Sequence, residues 1–202
     1  SKVQKVDGML LDLGLSSAQL DSKSRGFSYK INSELDMRFD MSHKLKANDF
    51  LNIGSRKEIA DIIFKHSDER RSRAIADNIF KMRPIKNVFE LVEAIRISTP
   101  PKNRNKTIAR VFQAIRIIVN DELKILENFL SEFCNQLSIG GRIVFISFHS
   151  IEDRLVKHAL KNLSFKKKIK ILTRKPINPS QEERCSNSRS RSAKLRVAER
   201  IL

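Results

Sequence analysis

Acidic and imidazole side chains follow two apolar runs of the chain, at the points where the runs end. Asp12 closes the run VDGMLLD (6–12), and Gly14 permits a sharp turn two residues later. His149 follows the run RIVFISF (142–148) in the same way. Because ligands of open α/β sheets bind outside the carboxyl ends of the strands, Asp12 and His149 are candidates for one ligand site. Two alternatives stay open: Asp12 caps a turn, and His149 is structural.

Two strands and an intervening helical segment must position these residues. The apolar residues of 6–13 do not alternate strictly, which predicts a strand that is covered on both faces. Residues 108–137 carry apolar side chains at helical spacing and predict one helix, or two joined near Asn120, packed on a sheet face. The pair Gly140-Gly141 is expected to form a turn between the helical segment and the second strand. A strand–helix–strand order predicts a parallel α/β sheet.

The carboxyl-terminal part predicts two further strands separated by a polar segment. The run KIKILTR (168–174) is expected to form a third strand, and Leu195 and Val197 alternate with polar or small neighbours, which suits a final strand. Residues 176–192 are rich in Ser and Arg and are expected to be loose.

The middle of the chain predicts a long loop followed by helices. Residues 22–50 show no period, and long loops in compact domains are usually functional. In that loop Arg25 and the rings of Phe27 and Tyr29 either meet RNA, by charge and stacking, or pin the loop to the core. Both alternatives stay open.

Three amphipathic helices are predicted between residues 55 and 98. Ser55 with Glu58, and Asn87 with Glu90, have the spacing of capping boxes, and a helix is expected between them over Asp68 to Met82. Their basic face either holds RNA phosphates or is only solvated.

Charge and composition limit the class of partner and the compartment. The 202 residues include 40 Lys and Arg against 23 Asp and Glu, a formal net charge of +17, which favours a polyanion such as nucleic acid. The two cysteines and four histidines show no metal-binding spacing. No apolar run is long enough to span a membrane, so we expect a cytoplasmic protein without a membrane partner.

Five ordered blocks of sequence carry a resemblance to a known family. They are LLDLGLSSAQLD with RGFSYK (25–30), LDMRFD (35–40), VFQAIRIIVNDEL (111–123), GGRIVFISFHSIEDRLVK (140–157) and SRSRSAKLRVAER (188–200). In these blocks the chain resembles the bacterial ribosomal RNA small subunit methyltransferase H family, whose members methylate N4 of a cytidine in 16S ribosomal RNA with S-adenosylmethionine. The resemblance implies 16S rRNA or the small ribosomal subunit as the partner.

The resemblance implies the carboxyl-terminal part of a Rossmann-like class I methyltransferase sheet with an inserted small helical subdomain. The methyltransferase domain is expected in 1–40 and 106–202, and the insert for substrate recognition in 41–105. The family's glycine-rich cofactor loop lies upstream of Ser1, so we expect this chain to lack the amino-terminal part of the domain and to bind the cofactor incompletely.

The resemblance also assigns roles to individual residues. Asp12 and Gln19 match positions that contact S-adenosylmethionine. Asp36 and His149 are candidates for orienting the reacting amine. The candidates for RNA contact are Arg25, Phe27, Arg38 and Arg154. No metal is expected.

Two other functions stay open beside RNA methylation. One is a noncatalytic basic RNA-binding domain derived from such an enzyme. The other, methylation of a DNA amino group, is disfavoured because no acid-Pro-Pro-aromatic signature follows a strand.

Overall fold

The computed structural model describes residues 5–202, which form two compact units. The sheet unit comprises residues 5–14 and Leu123–Leu202, and the helical unit comprises Leu15–Glu122, so the helical unit interrupts the sheet unit in the sequence. The predicted insert of 41–105 lies inside the helical unit, and its role in substrate recognition stays a prediction.

The helices and strands follow one another along the chain with these bounds. They are β1 (Val6–Asp12), α1 (Ser17–Asp21), α2 (Ala47–Ile53), α3 (Arg56–Ser67), α4 (Ser72–Lys81), α5 (Val88–Ile97), α6 (Arg104–Val119), α7 (Glu122–Gln136), β2 (Leu137–Ser147), α8 (Ser150–Phe165), β3 (Ile169–Ile171), α9 (Gln181–Ser186) and β4 (Lys194–Arg200). Short 3₁₀ helices cover Pro101–Asn103 and Ser188–Ser192.

The four strands form one mixed sheet in the order β1-β2-β4-β3. β1 and β2 are parallel, whereas β4 is antiparallel to both β2 and β3. The α/β class, the parallel pair and the two carboxyl-terminal strands are therefore confirmed. The mixed sheet with its surrounding helices is consistent with a Rossmann-like methyltransferase fold.

The prediction that β1 is covered on both faces was wrong. Met9 and Leu11 pack against the core of the sheet unit, but Leu10 is 65% exposed. β1 is an edge strand among the described residues, so its missing alternation reflects one buried face and one apolar exposed position rather than two covered faces.

The glycine pair Gly140-Gly141 was expected to precede β2, but both glycines lie within that strand. Gly140 has a φ of +81°, and the pairing of β1 with β2 shifts register between Val6 and Gly8. Glycine readily adopts this conformation, so the strand accommodates an irregularity where the sequence predicted a turn.

The helical segment before β2 consists of two helices, as one of the two alternatives predicted. α6 ends at its C-cap Asn120, and Asp121 adopts a left-handed φ of +51°. Leu130 and Phe133 of α7 pack with Phe145 of β2 in the core of the sheet unit, as expected. The same expectation was wrong for α6, because its apolar side chains belong to the core of the helical unit.

The helical unit follows the predicted caps closely. The side chains of Ser55 and Asn87 accept hydrogen bonds from the amides of Glu58 and Glu90, so both capping boxes are present. α4 begins at Ser72, four residues later than predicted, because Asp68 adopts a left-handed φ of +53° at the end of α3. The predicted loop of 22–50 is also shorter, since α2 begins at Ala47.

The segment 176–192 is not loose throughout. The side chain of Ser180 accepts a hydrogen bond from the amide of Glu183 at 3.1 Å and begins α9. Asn187 caps the following 3₁₀ helix through the amide of Arg189. These local side-chain caps explain why a polar composition still gives short helices here.

Candidate functional site

Asp12 lies at the carboxyl end of β1, as predicted. It stands opposite Ile146 of β2, and the next residue, Leu13, continues the ladder by donating its amide to the Ile146 carbonyl at 2.9 Å. Gly14 then turns the chain with a φ of +104°. The side chain of Asp12 is exposed, so its carboxylate is accessible to hydrogen-bond donors of a ligand.

His149 lies just beyond the end of β2, beside the end of β1. Its Nδ1 accepts a hydrogen bond from the amide of Glu152 at 3.3 Å and caps α8. Its Nε2 is buried and lies 3.1 Å from Oε1 of Glu152, without hydrogen-bond geometry. The Glu152 carboxylate also accepts from the amide of Phe148 at 3.1 Å. The imidazole is therefore engaged in the turn between β2 and α8, and its catalytic role stays a prediction.

A buried ion pair joins the first turn of α8 to β4. Arg196 donates from Nε to Oδ1 of Asp153 at 2.7 Å and from Nη2 to Oδ2 at 3.2 Å, and Nζ of Lys194 lies 3.4 Å from Oδ2. Burial is the largest single influence and raises the pKa of Asp153, but the hydrogen bonds and charges of Arg196 and Lys194 together hold its pKa below the ordinary value. Arg154, the neighbouring candidate for RNA contact, is exposed on α8.

Asp36 and Arg38, both predicted site residues, form a buried pair in the helical unit. Nε of Arg38 donates to Oδ1 of Asp36 at 2.7 Å, and Nη2 donates to Oδ2 at 2.8 Å. Nη1 of Arg38 also donates to the carbonyls of Met41 and His43 at 2.9 and 2.6 Å. Burial is the largest single influence and raises the pKa of Asp36, but the hydrogen bonds from Arg38 and the charges of Arg38 and Lys46 together lower it below the ordinary value.

Arg25 and Phe27 adjoin this pair. Nη2 of Arg25 donates to the carbonyls of Arg38 and Phe39, the latter at 2.9 Å. The Arg25 guanidinium lies 5.4 Å from the centre of the Phe27 ring, which stacks on Phe39 at 5.7 Å. Phe27 is only 5% exposed, and Tyr29 packs edge to face on Phe112. This placement fits the alternative in which both rings pin the loop to the core.

Asn120 is a residue of this cluster that the sequence marked only as a helix junction. Its Oδ1 accepts from the amide of Phe39 at 2.6 Å, and its Nδ2 donates to the carbonyls of Met37 and Arg116 at 2.8 and 2.9 Å. An asparagine at the end of a helix usually satisfies local groups, so its spacing gave no sign of a partner some 80 residues away.

Gln19 belongs to a capping box at the start of α1. Its Oε1 accepts from the amide of Ser16 at 3.0 Å, while the Ser16 hydroxyl accepts from the amide of Gln19 at 3.2 Å. The capping box uses Oε1 and the backbone amide of Gln19, and does not involve its Nε2 group.

The predicted residues thus form two groups. Asp12 and His149 lie at the carboxyl ends of neighbouring parallel strands in the sheet unit. Arg25, Phe27, Asp36 and Arg38 form one cluster in the helical unit.

Asp12 and Gln19 each carry a polar group of a kind that binds a nucleoside cofactor such as S-adenosylmethionine, and their contact with a cofactor stays a prediction. The exposed Asp12 carboxylate can accept hydrogen bonds from hydroxyl or ammonium groups, and Gln19 Nε2 can donate one. Within residues 5–202 the glycines are dispersed apart from the pair in β2, so that part of the chain has no glycine-rich loop after a strand.

Neither a metal cluster nor a membrane helix occurs in the described part of the chain. Its histidine, cysteine, aspartate and glutamate side chains nowhere gather in threes that suit a metal ion. None of its helices has the length and apolar character needed to cross a membrane.

Comparisons with known proteins point to one family. The MraW methylase family matches residues 1–201 of the chain. The proteins named ribosomal RNA small subunit methyltransferase H from Nostoc punctiforme and Thermosipho africanus are 52% and 50% identical to it, over 97% and 98% of the chain and 66% and 68% of their own lengths. The protein of the same name from Kosmotoga olearia is 52% identical over 98% of the chain and 68% of its own length. The chain therefore spans about two thirds of the length of the curated relatives it matches.

Proposed function

The chain belongs to the MraW methylase family, and from that premise we propose that it takes part in S-adenosylmethionine-dependent methylation of N4 of a cytidine in 16S ribosomal RNA. The names of its relatives support ribosomal RNA of the small subunit as the substrate class. The proposed compartment is the cytoplasm.

The parallel pairing of β1 with β2 is the observation that carries the proposal. It brings the exposed Asp12 carboxylate beside the turn of His149, at the edge where open α/β sheets bind ligands. In the proposal Asp12 accepts hydrogen bonds from the cofactor and Gln19 Nε2 donates to it. S-adenosylmethionine supplies an electrophilic methyl group on a sulfonium centre.

The acceptor amine places its own demands on the protein. The lone pair of a cytosine amino group is delocalised into the ring, so the base must be held in line with the methyl group and shielded from water. A base in a duplex must also leave the stack.

Asp36 and His149 enter the proposal as positioning residues. Both oxygens of Asp36 accept from Arg38, and Nδ1 of His149 accepts from a backbone amide, so each of these side chains stabilises the turn in which it lies. Arg38 and Arg25 donate to carbonyls of the same loop and stabilise its form. The exposed Arg154 is proposed to meet RNA phosphate.

Titration of the chain with S-adenosylmethionine by calorimetry tests the role of Asp12. Asp7→Asn is the matched control, because Asp7 is also exposed and lies near the opposite end of β1. We expect binding that Asp12→Asn weakens at least tenfold and Asp7→Asn leaves unchanged. Equal affinities in the two variants would remove Asp12 from the cofactor site.

Methyl transfer is measured separately, as N4-methylcytidine formed in small-subunit RNA. A noncatalytic RNA-binding domain remains the second candidate, favoured by the net charge of +17. RNA binding without cofactor binding or methyl transfer would support that candidate and contradict the enzymatic proposal for this chain.

A further inference from the structure

A basic groove crosses the sheet unit along α8 and β3. It encloses about 540 Å³ and is lined by six cationic residues: Lys157, Lys161, Lys167, Lys170, Arg174 and Arg196. None of the described residues that line it is acidic. Arg196 is paired with Asp153, whereas the other five cationic residues are exposed.

The segment of the chain that forms most of the groove has only positively charged side chains among its Lys, Arg, Asp and Glu positions. From Arg154 to Lys175 there are nine Lys and Arg and no Asp or Glu. Lys157 and Lys161 are four residues apart on α8, so they lie on one helical face, while Lys170 and Arg174 come from β3 and the segment after it. Opposite walls of the groove therefore present positive charge.

Lys167 occupies a backbone position that favours glycine. Its φ is +55°, and it follows the C-cap of α8, where its amide donates to the Ser164 carbonyl and the Lys168 amide donates to the Leu163 carbonyl, both at 3.0 Å. This is the Schellman arrangement, whose left-handed residue is usually glycine. The chain thus keeps a cationic side chain in the groove at a position where it strains the backbone, a pattern found at functional sites.

We propose that this groove binds the phosphate backbone of RNA as a contact region additional to the site at the ends of β1 and β2. The choice of RNA as the polyanion rests on the proposed function. Most of the cations are lysines, which act as point charges and not as bidentate readers, so binding is independent of base sequence. A concave groove with charge on both walls suits a narrow phosphate chain better than a flat lipid surface.

Fluorescence anisotropy with labelled RNA, at salt concentrations from about 50 to 200 mM, tests the groove. The variant is Lys157→Gln/Lys161→Gln/Lys170→Gln. The control is Lys5→Gln/Lys86→Gln/Lys124→Gln, which removes the same charge from three exposed lysines outside the groove. We expect the groove variant to raise Kd at least tenfold. The negative slope of the logarithm of the association constant against the logarithm of the salt concentration should become shallower by about two to three. The control should change Kd less than about threefold by the same electrostatic argument.

Lys167→Gly gives a second and independent readout. Glycine relieves the left-handed backbone, so the midpoint of thermal unfolding should rise, while the loss of one cation should raise Kd for RNA. A purely structural lysine would give the first change without the second.

Several outcomes would overturn the proposal. They are no RNA binding by the unmodified chain, equal losses in the two triple variants, or unchanged Kd in Lys167→Gly. Binding to phosphatidylserine vesicles that the groove variant abolishes, with RNA binding retained, would assign the groove to a membrane surface instead. Cofactor binding and methyl transfer are measured in separate experiments, so their failure would contradict the proposed function without changing the comparison of RNA binding between the two triple variants.

Discussion

The side chain of Asn120 holds the backbone of Met37 from the far end of the helical unit's sequence. Its Nδ2 donates to the Met37 carbonyl at 2.8 Å, and its Oδ1 accepts from the amide of Phe39 at 2.6 Å. Met37 has a left-handed φ of +61°, which few residues other than glycine adopt readily. Asn120 therefore helps to maintain the strained turn that carries the Asp36–Arg38 pair.

Replacing Asn120 with alanine should destabilise the chain by about 2–3 kcal/mol, because buried backbone groups lose their partners. Asn120 is only 4% exposed. Urea unfolding followed by circular dichroism measures the change. Asn105→Ala, at an exposed position of α6, is the control and should stay within about 0.5 kcal/mol of the unmodified chain. Equal effects in the two variants would contradict the anchoring role.

Two glycines with positive φ should respond differently to alanine. A Cβ at Gly26 would lie 2.7 Å from the Glu34 carbonyl oxygen, whereas one at Gly140 would meet nothing within 4 Å. Gly140→Ala should cost about 1–2 kcal/mol from backbone strain alone, and Gly26→Ala should cost clearly more. Thermal and urea unfolding of both variants measure the difference. A smaller cost at Gly26 would mean that its loop yields easily.

Acid should weaken the fold partly through Asp36. Its pKa lies below the ordinary value of 3.8 in the folded chain, so the stability that it contributes is complete above the unfolded value and is lost as the pH falls through the folded value. Urea unfolding at several pH values between about 7 and 2 measures this loss. We expect Asp36→Asn to be less stable than the unmodified chain at neutral pH. Its free energy of unfolding should then fall less as the pH drops below 3.8. Parallel curves would contradict the assignment.

The Asp153–Arg196 pair should show the asymmetry of buried ion pairs. Asp153→Asn leaves the guanidinium of Arg196, a residue that is 7% exposed, without its charge partner and should cost about 3–5 kcal/mol. The double variant Asp153→Asn/Arg196→Met should recover part of that loss, because no buried charge then remains unpaired. Urea unfolding of both proteins measures the two costs. A double variant that is less stable than Asp153→Asn would refute this account.

Variants of His149 separate capping from catalysis. His149→Ala removes the side chain that accepts from the Glu152 amide and should cost about 1 kcal/mol, whereas His149→Asn keeps a good capping residue and most of the stability. Thermal unfolding measures both. In a protein active in methyl transfer, a stable His149→Asn variant with normal turnover would limit His149 to a positioning role, and one without turnover would support direct catalysis.

Local patterns in the sequence predicted much of this fold. The capping boxes at Ser55 and Asn87, the interruption near Asn120 and the strand ending at Asp12 depend on neighbours a few residues apart, and all are present. Such features follow from local backbone preferences that tertiary packing leaves unchanged.

The remaining features depend on partners that are distant in sequence. Asp153 meets Arg196 across 43 residues, and Phe39 meets Asn120 across 81, so no periodicity could reveal these pairs. The exposure of Leu10 likewise depends on the place of β1 in the sheet order. For Asp36 and His149 the residue types were informative, but their engagement by Arg38 and by a backbone amide was not visible in spacing.

The irregular pairing at the glycines of β2 allows the length of β2 to change without a change in the register of the pairs that follow it. Leu137 pairs with Val6 and Arg142 with Gly8, so β2 advances five positions where β1 advances two, and the following pairs up to Asp12 and Ile146 are in step. An insertion or deletion of a residue at this bulge would therefore be absorbed before the regular ladder begins. Length variation in β2 can accumulate there while the spacing of Asp12 from the start of α8 is preserved.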